Sequence, residues 1–451
     1  MNIVIVGCGQ VGTNLARELG EDGNNITVVD TSFASVQAVT NKLDVMGIIG
    51  NGASHTTLME AGIDTADLLI AVTDSDELNL LCCILAKKQS NCKTIARVRS
   101  HRYNEEADYL KEELGLAMVI NPEYASAQEI ASVLRFPSAL SIEPFGGGRV
   151  ELLKFRLPED SKIVGMSVRD VTTKYKSGVL FCTAERGDEA YIIKGDFVFK
   201  PKDVISIICE PKSADEFFAS IGYKTQAVKD AIIASGGEIT NYLCSIFEKS
   251  RMSIKIIDSD KKLCEVISAE FPFATVVNGK PADHELLMEE GIKNADAFIT
   301  LGNLDEENII SSLFAKEAGV SKVVTKVKHI EYDEMIDHLN LDTVIYPQRI
   351  VSDIIVRYVR SLKSTMGSNV ETMYNVVQGK VEASEFRITA ESQIVGKPLM
   401  ELRFKPDVLV CAILRGKKVI LPRGYDSIEV GDSVIIVSRI TGLNNVTDVL
   451  E

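Results

Sequence analysis

Two stretches half a chain apart repeat one another, and that repetition limits the fold more than any single motif. IVIVGCGQVG at 3–12 is an apolar run into a glycine-rich turn, and AIIASGGEIT at 231–240 follows it at an offset of 228. ITVVD at 26–30 and IKIID at 254–258 keep that offset. SHTTLMEAGIDTADLLIAVTDSDELN at 54–79 then aligns with DHELLMEEGIKNADAFITLGNLDEEN at 283–308, and ARVRS at 96–100 with TKVKH at 325–329. An offset that drifts by about one residue over such a span means duplication of a whole domain.

The segments after each copy match as well. SKIVGMSVRDV at 161–171 pairs with SQIVGKPLMEL at 392–402, and GDFVFKPKDVISIIC at 195–209 with GYDSIEVGDSVIIVS at 424–438. The order is therefore large, small, large, small, with expected modules at 1–135, 136–223, 224–369 and 370–451.

Within the first large module, strand patterns fall near 2–6, 26–30, 45–49, 67–72, 94–98 and 117–120, with helix-period segments between them. Such alternation builds a parallel, doubly wound α/β sheet whose ligand site lies beyond the carboxyl ends of the strands. Each small module instead alternates apolar and polar residues and is expected to be a β-rich α+β domain. The segments 121–136 and 346–361 carry apolar residues at helical spacing; each either crosses to a partner domain or packs within its own.

Composition narrows the function. A chain of 451 residues exceeds one ordinary core. No apolar run approaches the roughly 18 residues that span a bilayer, and the amino terminus enters a strand directly, so a cytoplasmic protein, at most peripheral to a membrane, is expected. A formal charge of -15 argues against a nucleic-acid partner. The nine cysteines lack any C-x-x-C spacing and read as reduced core residues; no metal site is expected.

Gly7, Gly9 and Gly12 form a G-x-G-x-x-G fingerprint after a strand and before a helix. Gly7 allows the tight turn, Gly9 lets backbone N–H groups approach a pyrophosphate, and Gly12 allows close packing of helix and strand. Asp30 ends the second strand 18 residues past Gly12. Its carboxylate suits the hydroxyls of an adenosine ribose and disfavours a 2′-phosphate, which points to NAD(H) or an adenine nucleotide rather than NADP.

AVTDSDELN places Thr73 and Asp74 where the sheet order is expected to reverse. Asp74 with Glu77 also reads as a helix cap, and the two roles are compatible. Arg97 ends the fifth strand and Arg99 follows two residues later on the same strand face, so either could neutralise ligand phosphates. His55, matched by His284, is expected to pack or cap at a helix start.

In the second copy Ser235 replaces Gly7, Gly237 keeps the middle position and Thr240 replaces Gly12, while Asp258 retains the acid. Gly302 and Asn303 stand for Thr73 and Asp74, and Lys326 and Lys328 for the arginines. That site is weakened, altered in ligand, or kept for packing, its helix standing further off to admit Thr240.

A dehydrogenase needs an acid or base, often histidine, presented to the nicotinamide from a second domain. His55, His101, His284, His329 and His338 all lie in the large modules. No nucleophile elbow, metal-ligand cluster or Walker lysine occurs either, so a binding module is expected rather than an enzyme. An NAD-dependent oxidoreductase remains one alternative. A sensor acting through the small modules, for example of a cyclic dinucleotide, is another.

GCGQVG with Asp30, the NGAS and ADLLIAVTDSDELN stretches, RVR and the IVG-containing small modules together resemble the TrkA family of Trk-type potassium uptake regulators, a tandem form of the RCK (KTN) domain. The resemblance covers essentially the whole chain. It implies a peripheral cytoplasmic regulator, commonly a homotetrameric ring, beneath a membrane potassium channel or transporter of the TrkH/TrkG kind. It also implies that NAD(H), and in many members ATP or ADP, shifts the ring's shape. The family's first site maps onto Gly7, Cys8, Gly9, Gln10, Val11, Asp30, Thr73, Asp74 and Arg97; its second maps onto Ser235, Gly236, Gly237, Glu238, Ile239 and Asp258.

Overall fold

The computed structural model describes the chain except residues 101–102, 104–105, 137–138, 176–177, 188, 223–227, 249–251, 329–335, 337–338, 340, 366–369, 378–379, 390–391, 441 and 444. His101, His329 and His338 thus lie outside the described residues. The chain forms two compact units, one of residues 1–131 and 229–356 and the other of 132–228 and 357–451. Each unit therefore pairs corresponding copies, large with large and small with small.

In the first large copy, β1 (Asn2–Val6), α1 (Gln10–Glu21), β2 (Asn25–Asp30), α2 (Phe33–Thr40), β3 (Met46–Ile49), α3 (His55–Glu60), β4 (Leu68–Ala71), α4 (Asp76–Gln89), β5 (Lys93–Arg97), α5 (Ala107–Glu113), β6 (Met118–Ile120) and α6 (Pro122–Arg135) follow in order. The sheet runs β3-β2-β1-β4-β5-β6 with parallel pairing throughout. Helices cover both faces, so β1 and β4 are almost wholly apolar and buried. The order reverses between β1 and β4, which makes their carboxyl ends the switch point. The second copy repeats the order and the parallel pairing with strands Asp230–Ala234, Ser253–Asp258, Thr275–Asn278, Ala297–Thr300, Lys322–Lys326 and Thr343–Ile345. This is the expected doubly wound, Rossmann-like architecture, present twice.

The two large copies touch at the root of α6. Asn121 donates its amide to the Tyr242 hydroxyl at 3.0 Å, and the Tyr124 ring meets Tyr242 edge to face at 5.3 Å. The helix foreseen over 121–136 thus opens against the partner copy.

The other unit holds two five-stranded antiparallel sheets. Phe145, Leu152 and Cys182 of the first small copy share one apolar cluster with Tyr374, Cys411 and Val437 of the second. The Tyr374 hydroxyl donates to the Pro144 carbonyl at 2.9 Å, and Lys154 donates to the Val376 carbonyl at 3.1 Å. A half-apolar sheet needs a cover, and each small copy supplies the other's. All nine cysteines are buried free thiols. Burial pushes Cys82 up to about 12, as a neutral core residue requires.

Candidate functional site

The glycine turn after β1 is built against the end of β4. Gly7 sits at φ +108, and a Cβ there would lie 3.0 Å from the Val72 carbonyl and the Thr73 nitrogen. Gly12 is tighter still, since its Cβ would stand 1.8 Å from the Gly7 oxygen. Both glycines are demanded by the fold. Gly9 is not: its φ is -69, and a Cβ would meet nothing within 4 Å. The space before it is the room a ligand backbone would use. Gly9 also begins α1 without any side-chain cap, so the first-turn N–H groups near Gln10 and Val11 are offered outward.

Asp30 reaches back to this turn from the end of β2. One carboxylate oxygen accepts the Cys8 N–H at 2.8 Å and the other the Ser32 N–H at 2.8 Å. A carboxylate has about four lone-pair sites, so capacity for two ribose hydroxyls is left. Cys8 itself is buried, and burial followed by the nearby Asp30 charge pushes its thiol up to about 12. It is no nucleophile at neutral pH.

Thr73 stands beside Gly7 as foreseen, but its donors are spent within the protein. Its N–H and its hydroxyl both go to the Asn79 amide oxygen, at 2.8 and 2.7 Å. The Asn79 amide nitrogen donates to the Thr73 and Arg97 carbonyls, at 3.1 and 2.9 Å, stapling the ends of β4 and β5. Asn79 is fully buried and was not singled out in the sequence; its signal is its recurrence as Asn308. Asn308 does the same for Gly302 and Lys326 in the second copy.

The helix-cap expectation needs correction. Ser75, not Asp74, caps α4, its hydroxyl accepting the Leu78 N–H at 3.2 Å, and Glu77 accepts from the Ser75 hydroxyl instead of closing a capping box. Asp74 is left wholly exposed, 3.6 Å from Arg97. Arg97 is largely buried and donates to the Thr73 carbonyl at 3.2 Å. Arg99 lies past the strand, its backbone N–H bonded to the Asp76 carboxylate and its guanidinium to Glu123 at 2.8 Å. His55 opens α3 and His284 the matching helix, where His284 stacks on Phe314 at 3.8 Å; packing is what the structure shows for it.

The second copy's turn keeps its first bend without the counterparts of Gly7 and Gly12, while its middle glycine, Gly237, sits at φ +136 where Gly9 has -69. Ser235 holds φ +95, close to that of Gly7, and Gly236 N–H donates to Asp258 at 2.6 Å just as Cys8 does to Asp30. Thr240 fits because its hydroxyl donates to the Ser235 carbonyl at 2.8 Å. The Ser235 hydroxyl reaches Asp258 at 3.2 Å, so one oxygen of that acid already holds two partners.

The turn of the second copy and the strand ends of both copies line a cavity of about 390 Å³. Arg97 and Arg99 enter it from one copy, Lys326 and Lys328 from the other, with Val11, Asp74, Glu123 and Ser235 to Thr240 around them. Burial, then Lys328, pulls the Lys326 ammonium down to about 8. Burial, then Arg99, lowers the Arg97 guanidinium. The Arg97 Nε atom is buried without a hydrogen-bond partner, as is one Glu123 carboxylate oxygen. Desolvated cations that repel one another favour an anion between them.

This chain matches the TrkA-N domain over residues 3–122 and 231–347, and the TrkA-C domain over 152–222 and 383–451. It is 30% identical to the Trk system potassium uptake protein TrkA homolog 1 of Methanosarcina mazei, over 99% of both chains. It is 29% identical to the Trk system potassium uptake protein TrkA of Haemophilus influenzae, over 97% of this chain and 95% of that one. In fold it is similar to the GsuK channel bound to NAD, with a TM-score of 0.64 and 16% identity over 97% of this chain and 76% of the channel. The GsuK RCK domain gives a TM-score of 0.64 at 15% identity, over 97% of this chain and 92% of that one. The chain belongs to the TrkA family, with the TrkA-N and TrkA-C domains each present twice.

Proposed function

We propose that this chain is a nucleotide-sensing regulatory subunit of a Trk-type potassium uptake system, acting from the cytoplasmic face on a membrane partner of the TrkH/TrkG kind. It is read as four modules, 1–135, 136–223, 224–369 and 370–451, assembled with other copies into a ring. The observation that carries the sensing role is Gly9, a glycine with ordinary φ and open space where its Cβ would be, at the uncapped start of α1. The Asp30 carboxylate stands ready for a ribose beside it. NAD(H) is the ligand these residues fit best, with ATP or ADP able to use the same adenosine half.

Relatives named as Trk potassium uptake proteins support the transport role, and GsuK structures bound to NAD and to ADP support a nucleotide as the signal. Among the described residues no helix is long and apolar enough to cross a membrane, so the potassium pathway belongs to the partner in this reading. The chain performs no chemistry in it: the ligand acts by binding two shapes of the assembly unequally. The cavity between the large copies is where such a difference arises, because Arg97 and Lys326 approach from separate copies. The acidic chain is expected to meet a basic cytoplasmic surface on the partner, and binding to the purified partner should weaken with salt.

The test is potassium flux into vesicles carrying the membrane partner, with the regulator and NADH, NAD, ATP or ADP added in turn. Flux should change with one of these nucleotides for the wild type and not for Gly9→Val. Flux indifferent to the regulator, or nucleotide-dependent to the same degree with Gly9→Val, would refute the proposal.

A further inference from the structure

The two large copies differ in kind at one matched position. Arg97 ends β5 and Lys326 ends the equivalent strand, Asn79 and Asn308 donating to their carbonyls in the same way. A guanidinium stays charged at any physiological pH, whereas an ammonium gives up its proton more readily where burial penalises charge. Lys326 is 7% exposed, and its ammonium donates to the Leu301 carbonyl at the wall of the cavity of about 390 Å³. Burial, and then the neighbouring Lys328, bring it down to about 8, with Asp305 and Glu123 pulling the other way. On the wall supplied by the other copy, Arg97 has a buried Nε–H without a hydrogen-bond partner. A buried amine, room beside it and an unused donor together make a place where a small anion can be built on the lysine itself.

We propose that Lys326 is a modification site for carbon dioxide, its amine carrying a reversible carbamate inside this cavity. The nitrogen lone pair attacks the carbon of CO2, one C=O π pair moves onto oxygen, and one N–H proton leaves to solvent. Loss of CO2 with uptake of a proton reverses the step, and CO2 is the only co-reactant. A cation is thereby turned into an anion where the two large copies meet. Arg97, Arg99 and Lys328 surround it, against the carboxylates of Asp74, Glu123 and Asp305. Glu123 is committed to the Arg99 guanidinium at 2.8 Å and Asp305 to the Lys328 backbone N–H at 2.9 Å, while Asp74 is wholly exposed and screened by water. The Arg97 Nε–H and the Lys328 ammonium are left to hold the new carboxylate. Nothing in this chemistry uses the turn at Gly9, so it is independent of the nucleotide reading.

Two other lysines serve as internal controls. Lys322 is buried more deeply, at 2% exposed, and is likewise held near pH 8, but it does not line the cavity. Lys328 lines the cavity without such burial. The test equilibrates the full chain with isotope-labelled CO2 near pH 8, traps carbamates as alkyl esters with an oxonium salt, and maps the label by peptide mass spectrometry. Mapping by peptide separates Lys326 from the chain's α-amino group, which also titrates in this range. The label should fall on Lys326, with Lys322 and Lys328 at least about tenfold lower, and should vanish when CO2 is removed before trapping. Lys326→Arg should abolish it, and Arg97→Gln should lower the labelled fraction about tenfold by removing the donor; thermal melting checks that both variants fold. No label on Lys326 under saturating CO2, equal label on Lys322, label that survives CO2 removal, or a fraction unmoved by Arg97→Gln would each overturn the assignment.

Discussion

The Thr240 hydroxyl donates to the Ser235 carbonyl at 2.8 Å, whereas at the same place in the first copy a Cβ on Gly12 would stand 1.8 Å from the Gly7 carbonyl oxygen. One copy is packed so closely that only glycine fits, and the other has room for a side chain and fills it with a hydrogen bond. Gly12→Ala should therefore destabilise by about 1–3 kcal/mol, through overpacking. Thr240→Ala should cost about 1 kcal/mol, through a lost buried hydrogen bond. Thermal melts of the two variants side by side check the order.

Ser235 holds φ +95, in the region that favours glycine. Ser235→Gly should be more stable than Ser235→Ala by about 1 kcal/mol, since both lose the hydroxyl's bond to Asp258 but only alanine keeps the strain. Equal stabilities in denaturant titrations would show that the turn relaxes around a side chain.

The backbone framework of the first candidate site was legible in the sequence because its parts are local. The apolar runs before Gly7 and Asp30 are strands buried on both faces, and glycine spacing reports backbone approach directly. Asn79 escaped notice because its role is to bridge the ends of two strands, a relation invisible along one helix start. The cap fell to Ser75 instead of Asp74 by a single residue, where two good capping side chains compete. That large copies pair with large, bringing Arg97 and Lys326 into one cavity, is a tertiary fact that neither copy encodes alone.

Both oxygens of Asp30 accept backbone N–H groups, so an amide at this position sets donor against donor at one of them. Asp30→Asn should weaken NADH by at least about tenfold, about 1.4 kcal/mol. Asp258→Asn should leave NADH affinity nearly unchanged if the first copy is the one that binds. Fluorescence titration of NADH reads both.

Lys326 and Lys322 are buried, and burial holds both ammonium groups near pH 8, below the usual 10.5. The unfolded chain then carries more protons than the folded one between about 8 and 10.5, so these groups make stability rise as pH increases through that window. Lys326→Met should be more stable than wild type at pH 7 and show a shallower rise, with Lys322 supplying the remainder. An anion in the cavity would hold Lys326 charged, so its binding above pH 8 should take up protons. Calorimetry in two buffers of different ionisation enthalpy measures that uptake.

The central claim is that the turn at Gly9 is the sensor. Calorimetric titration of NADH, NAD, ATP and ADP into wild type, Gly9→Val and Gly237→Val tests it most directly. Because a Cβ at Gly9 would meet nothing within 4 Å, the valine should fill the ligand's space and lower stability by no more than about 1 kcal/mol, the cost of a poorer helix cap. The account predicts about one equivalent bound per wild-type chain and none for Gly9→Val. Undiminished binding by Gly9→Val, or binding lost only with Gly237→Val, would contradict it.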